Sequence, residues 1–343
     1  MSAHSSEDVR PKRRRKARPS FAIGTVKVRP GMAKEVGLPI TRLVTGADVS
    51  LPVHVIHGRD EGPTVWISAA IHGDEVVGVE VIRRVMAKVN AKTVRGTLLA
   101  VPIVNVIGFM NGDRYLPDRR DLNRSFPGSA RGSLAGRVAH LFMTEVVDKC
   151  EVGIDLHTGS DRRSNLPQVR CDLDDPATRA LAEAFGAPVI YHAKLRDGSL
   201  RYAARERGAR VLLYEGGEAW RFDEWAIAAG VLGVLRVLAH LGMIDPLEEE
   251  PPAPSLVCRR SGWVRARRTG ILQMEAHLGQ IVSDHERLGG LSDSFGHRLR
   301  LVRADRPGVV IGRTEAPLVN RGDAIVHIAE IEATPEVELM AGT

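Results

Sequence analysis

Two hydrophobic periods alternate along most of the chain, and then one of them disappears. Residues 21–60 hold short apolar runs broken by turn residues, which predicts short strands. Thr64–Ala70 (TVWISAA) is a continuous apolar run of buried-strand length, and across Asp74–Val89 the apolar positions fall at helical spacing. The same reading predicts a strand at Thr97–Val104, a helix at Leu134–Cys150, a strand at Val152–Leu156 and a helix at Pro176–Phe185. Strands at Pro188–Tyr191 and Val211–Tyr214 follow, then a long apolar helix at Asp223–Gly242. Strands alternating with helices imply an α/β fold with a mixed, largely parallel sheet and helices on both faces.

The helical period ends at a run of three glutamates followed by PPAP (Pro251–Pro254), a composition that favours an extended spacer. Residues 256–332 are short strands punctuated by glycine, which predicts a small all-β, sandwich-like unit. The expected organisation is a basic tail at 1–20, a catalytic domain at 21–245, a linker at 246–255 and a β domain at 256–335.

Composition changes this picture only at its edges. The chain of 343 residues has a formal net charge of +6. Residues 1–20 contain seven Lys or Arg and two acids, so the rest of the chain is nearly neutral. Such a tail can touch nucleic acid, but no nucleic-acid motif follows it, and a solvated, disordered leader is expected with no nucleic-acid partner. Three widely spaced cysteines, with no CxxC pair, suggest reduced thiols in a cytoplasmic protein. No apolar run reaches the roughly 18 residues of a membrane span, and nothing resembles a secretory signal.

Candidate chemistry sits where apolar strands end. His72-Gly73-Asp74-Glu75 follows the first buried strand and precedes a helix, the edge where open α/β sheets bind ligands. A His three residues before a Glu lets an imidazole and a carboxylate converge on one ion, and zinc accepts N and O donors while keeping a position for water. Alone, such a pair is most often structural. Asp155-Leu156-His157-Thr158-Gly159 places a second histidine at the same sheet edge, which favours a His72, Glu75, His157 ligand set. Tyr214-Glu215-Gly216-Gly217 delivers a carboxylate there as well. Its alternatives are a helix-capping acid or a general base beside an activated water. Residues 105–128 read as an arginine-rich loop containing Arg114, Arg119, Arg120 and Arg124. Arginine binds carboxylates through its bidentate fork.

HGDE (His72–Glu75), DLNRSFPG (Asp121–Gly128), DLHTG (Asp155–Gly159) and YEGG (Tyr214–Gly217) occur in this order over residues 60–240. Together they resemble the succinylglutamate desuccinylase and aspartoacylase family, which is grouped with the zinc carboxypeptidases. The resemblance implies one Zn2+ per chain on His72, Glu75 and His157, with Glu215 as general base and acid. It implies that Asn123 and Arg124 hold the substrate carboxylate and that Asp121 orients the first ligand histidine. Arg114 matches the arginine that stabilises the oxyanion. The Arg114–Arg124 interval is longer than in the aspartoacylase branch, so Arg119 and Arg120 compete for that role. Arg201, Arg205 and Arg210 are candidates for reading a second carboxylate.

The expected activity is zinc-dependent hydrolysis of the amide bond of a small, carboxylate-bearing N-acyl amino acid, a C–N bond other than a peptide bond. The alternative is a metallocarboxypeptidase acting on short peptides. No membrane partner is expected, and a homo-oligomer is left open.

Overall fold

The computed structural model describes residues 18–332. Residues 1–17 of the expected tail and 333–335 of the expected β unit lie outside them. After the small hairpin of β1 (Phe21–Ile23) and β2 (Val26–Val28) come β3 (Met32–Arg42), β4 (Asp48–His57), β5 (Asp60–Ala69) and α1 (Val77–Met86). They are followed by β6 (Arg95–Val101), α2 (Val106–Asn111), a 3-10 turn at Leu122–Arg124 and α3 (Leu134–Glu145). Then come β7 (Val152–Gly159), β8 (Arg163–Cys171), α4 (Pro176–Phe185), β9 (Val189–His192), α5 (Leu200–Glu206), β10 (Arg210–Glu218) and α6 (Glu224–His240). The rest is strand: β11 (Leu256–Arg265), β12 (Gly270–Met274), β13 (Ile281–Val282), β14 (Arg287–Ser292), β15 (Arg298–Arg303), β16 (Gly308–Thr314), β17 (Leu318–Val319) and β18 (Ala324–Ile331).

The main sheet has twelve strands in the order β13-β16-β18-β11-β9-β8-β10-β7-β5-β6-β4-β3. Its centre is parallel, from β10 through β7 and β5 to β6. The flanks are more antiparallel than the alternation of periods implies, because β8 enters against β10 and the β3–β4 hairpin closes on β6. Strand alternation sends Val65, Ile67 and Ala69 to one face and Trp66 to the other, and β6 splits Leu98 and Ala100 from Leu99 and Val101 in the same way. Residues of α1, α4 and α6 fill the first core, and residues of α3 and α5 fill the second. Helices therefore cover both faces, and the central strands are buried on both sides, as parallel strands require.

Four details differ from the sequence reading. Arg18 is not part of a free tail: its guanidinium donates to the carbonyls of Gly58 and Gly96 at 3.0 and 2.8 Å and to Thr97 at 3.1 Å. Helix α1 begins at Val77 instead of Asp74, which leaves residues 72–76 in a turn. The helix predicted to reach Cys150 ends at Glu145 and tightens into a 3-10 turn at Val147–Lys149. The arginine-rich loop contains α2 and a second 3-10 turn.

The C-terminal strands also do not stand apart. β11 extends the main sheet by pairing in parallel with β9, and β16 pairs with β8 through Gly312↔Asn165 and Arg313↔Ser164. β12, β14, β15 and β17 form a separate four-stranded sheet. Among the described residues no helix is long and apolar enough to cross a membrane.

Candidate active site

Three neighbouring parallel strands deliver the site. Ala69 of β5 lies opposite Leu156 of β7, and His157 lies opposite Glu215 of β10. His72 follows β5 in the turn before α1, so His72, His157 and Glu215 share the carboxyl edge of the sheet. The turn is tight against α2. A Cβ on Gly73 would lie 2.3 to 2.4 Å from backbone atoms of Gly108, Phe109 and Asp113, so only glycine fits between the His72 and Glu75 of HGDE.

Glu75 sits between the two imidazoles. Its Oε1 is 2.7 Å from His72 Nδ1, and its Oε2 is 2.8 Å from His157 Nδ1. All three side chains are buried, and their ligating atoms lie within 4.8 Å of one another. The far nitrogen of each ring is held by a carboxylate. His157 Nε2 is 2.7 Å from Asp155, which in turn accepts a 2.8 Å hydrogen bond from Ser68. His72 Nε2 is 3.2 Å from Asp121. Carboxylates on the outer nitrogens fix the tautomer that leaves both Nδ1 lone pairs facing inward.

The electrostatics point the same way. Burial alone would raise the Glu75 carboxyl, but the two imidazoles outweigh it and hold it far below the usual carboxylate range. Burial would lower both histidines, yet Glu75 with Asp121 raises His72, and Asp155 with Glu75 raises His157 well above its ordinary value. The pocket thus attracts positive charge between the rings. Two imidazole nitrogens and one carboxylate, buried and oriented from behind, form a donor set that suits a divalent ion such as zinc. A second acid-histidine group, Asp172, Asp174 and His192, is already engaged: Arg259 pairs with Asp174 at 2.7 Å and Arg205 with Asp172 at 3.5 Å.

Of the three candidate arginines in the loop, Arg114 reaches the site. It pairs with Glu75 at 3.2 Å and Asp121 at 3.6 Å, and its Nη2 also lies 2.9 Å from His72 Nε2. That last contact competes with Asp121 for the same ring nitrogen. The Asp121 contact prevails when Nδ1 carries a ligand, because Nε2 then holds the proton and Arg114 has no lone pair to meet. Arg119 and Arg120 are exposed and do not line the cavity. Asn123 is buried, with its Oδ1 accepting from Leu200 N at 2.9 Å, and both it and Arg124 beside it line the cavity. Arg201 lines the cavity as well, whereas Arg205 and Arg210 are exposed and pair with Asp172 and Asp175.

Glu215 is held from two sides by residues that the sequence reading passed over. Asn165 Nδ2 donates to its Oε2 at 2.7 Å, and Arg170 pairs with its Oε1 at 3.2 Å. Both lie on β8, which carries no continuous apolar run to mark it as a strand. Asp155 was the readable omission, since it is two residues before His157 and so on the same strand face.

The cavity at this edge measures about 460 Å3. Arg114, Arg124, Arg163, Arg170, Lys194, Arg196 and Arg201 line it against two carboxylates, Glu75 and Glu215. It can therefore hold an anionic ligand beside a polarising cation, with a carboxylate base facing both.

Residues 61–241 match the succinylglutamate desuccinylase/aspartoacylase catalytic domain. The chain belongs to this family. It is 31% identical over 297 residues to the N-alpha-acetyl-L-2,4-diaminobutyric acid deacetylase of Halomonas elongata, an alignment covering 82% of this chain and 86% of the relative. It is 30% identical to the succinylglutamate desuccinylase of Pseudomonas aeruginosa over 34% of this chain and 38% of the relative. Among solved structures, a succinylglutamate desuccinylase/aspartoacylase from Rhodobacter sphaeroides superposes with a TM-score of 0.78 at 28% identity, covering 88% of this chain and 96% of that one. The product-bound ectoine utilization protein EutE (DoeB) from Ruegeria pomeroyi gives 0.80 at 25% identity, covering 92% and 98%.

Proposed function

We propose that this chain is a zinc-dependent deacylase that hydrolyses the amide bond of small N-acyl amino acids in the cytoplasm. The observation that carries the reading is the Glu75 carboxylate bridging the Nδ1 atoms of His72 and His157 at 2.7 and 2.8 Å, with Glu215 in register beside His157. Family membership supports it, as does the activity in the names of the Halomonas and Pseudomonas relatives.

His72, Glu75 and His157 would hold the zinc, with Asp121 and Asp155 fixing the two rings from behind. When bound there, zinc supplies a Lewis acid that polarises a carbonyl and lowers the pKa of water to about 7. Glu215 takes the proton from the attacking water and returns it to the departing nitrogen. Asn165 and Arg170 keep both oxygens of Glu215 aimed. Arg114 donates to the oxygen on which charge develops. Arg124, placed by the turn that begins at Asp121, binds the α-carboxylate together with the Nδ2 of Asn123, whose Oδ1 also holds that turn against α5.

The test is hydrolysis of N-acetyl and N-succinyl amino acids and of dipeptides by the wild type and by Glu215→Gln. Release of free amino acid from the acyl compounds, lost in the variant, is the expected result. Release from dipeptides alone would replace the deacylase reading with a carboxypeptidase.

A further inference from the structure

Part of the cavity wall comes from the C-terminal strands. Trp263 of β11 and His327 of β18 both line it, and they are opposite one another in register. Their rings stack with centroids 4.6 Å apart and an interplanar angle of 14°. The guanidinium of Arg163, at the start of β8, lies 5.2 Å from the Trp263 ring centroid. Guanidinium, indole and imidazole thus associate across the junction between the two halves of the chain.

The arrangement leaves a cation with nothing to bind. Among the described residues Arg163 has no carboxylate partner, and its side chain makes no hydrogen bond; its one contact of note is the aromatic face, which holds its plane without using its N–H donors. His327 cannot neutralise it. Burial, Arg170, Arg306 and Arg163 push His327 down to about 3, so the ring is neutral and adds no charge. Ser261 occupies its Nε2 at 2.8 Å, and its buried Nδ1 has no partner. Of the two carboxylates that line the cavity, Glu75 is engaged by His72 and His157, and Glu215 by Asn165 and Arg170.

We propose that Arg163, held over Trp263 and backed by His327, is a second anion subsite of this cavity that reads a carboxylate of the substrate other than the one at Arg124. The inference rests on the deacylase reading for the identity of the substrate, though not for the existence of the subsite. The recognising chemistry is a bidentate carboxylate on a pre-oriented guanidinium. That carboxylate comes either from a dicarboxylic acyl group or from an acidic amino-acid side chain. A diamino acid would instead bring its ammonium into a wall of like charge.

Three substrates separate these sources: N-succinyl-L-alanine, N-acetyl-L-glutamate and N-acetyl-L-alanine. Arg163→Gln removes the charge, and Trp263→Leu removes the stacking face. Each variant should raise KM about tenfold for whichever of the first two substrates carries the recognised carboxylate, with kcat within about twofold and N-acetyl-L-alanine unaffected. Arg163→Lys should restore binding only in part. Equal losses on all three substrates, or none on any, would overturn the subsite while leaving the deacylase intact. If the wild type hydrolyses none of them, the deacylase reading is left to the wider panel of acyl amino acids, and calorimetric titration of succinate decides the subsite. Succinate binding that weakens about tenfold in Arg163→Gln would uphold it; absent or unchanged binding would overturn it.

Discussion

Asn165 donates a 2.7 Å hydrogen bond to Glu215 from beside a glycine of a third strand. Gly312 of β16 pairs with Asn165, and a Cβ there would lie 2.8 Å from Asn165 Oδ1 and 3.5 Å from the His327 Cβ. The C-terminal strands thus bear on the base through Asn165, one of the two side chains that aim it. Gly312→Ala should displace Asn165, whose amide is the movable end of the contact, without breaking the sheet. The expected outcome is a kcat lowered about tenfold, with zinc content unchanged and Asn165→Ala giving a similar loss. Steady-state kinetics beside metal analysis checks this; full activity in both variants would mean that Asn165 does not position Glu215.

Glu215→Gln keeps the side chain's shape and its contact with Arg170 but removes proton transfer. Turnover should fall by roughly 10²- to 10⁴-fold, the range for losing a positioned general base. Zinc should remain bound, because Glu215 is not among the three clustered donors.

Arginines separated by a few positions should behave differently. Arg114 contacts Glu75 and Asp121, whereas Arg119 and Arg120 are exposed. Arg114→Ala should cost about 10²- to 10³-fold in kcat, as removal of an oxyanion donor does. Arg119→Ala and Arg120→Ala should stay near wild type. A large kcat loss in either would return the oxyanion role to the outer loop.

His327 gives a pH signature. Its folded pKa, about 3, lies below the ordinary 6.5, so the unfolded chain takes up a proton first as pH falls. Its contribution to stability is intact above about pH 6.5 and declines as pH drops from there toward 3. Arg163, Arg170 and Arg306 face the ring and oppose its charging, and Ser261 and Trp263 complete its surroundings. His327→Phe keeps the stack and removes the titration. Its Tm should fall less between pH 7.5 and pH 5 than that of the wild type. Parallel Tm curves would show that His327 is not held neutral.

The clustering of His72, Glu75 and His157 was legible because each of its parts ends an apolar strand, and periodicity finds such strands. His72 and His157 lie 85 positions apart, but the shared edge of a parallel sheet follows from alternating strands and helices. Asn165 and Arg170 were not legible, because β8 runs antiparallel with polar residues in it and gives no periodic signal. Trp263 and His327 were further out of reach: their place in the cavity depends on β11 pairing with β9 and β16 with β8, long-range registers that no local pattern encodes. The parallel pairing of β11 with β9 is why the glycine-punctuated C-terminal strands, read as a unit of their own, prove to be partly an extension of the main sheet. Arg114 and Arg119 have the same chemistry in sequence, and only the turn at residues 112–121 separates their environments.

The most direct test is the zinc stoichiometry of the purified full chain after metal reconstitution and desalting, measured for the wild type and for His72→Ala. The account predicts close to one zinc per wild-type chain and close to none in the variant. A wild-type chain that retains no zinc, or a variant that retains a full equivalent, would contradict the metal centre on which the proposed hydrolysis depends.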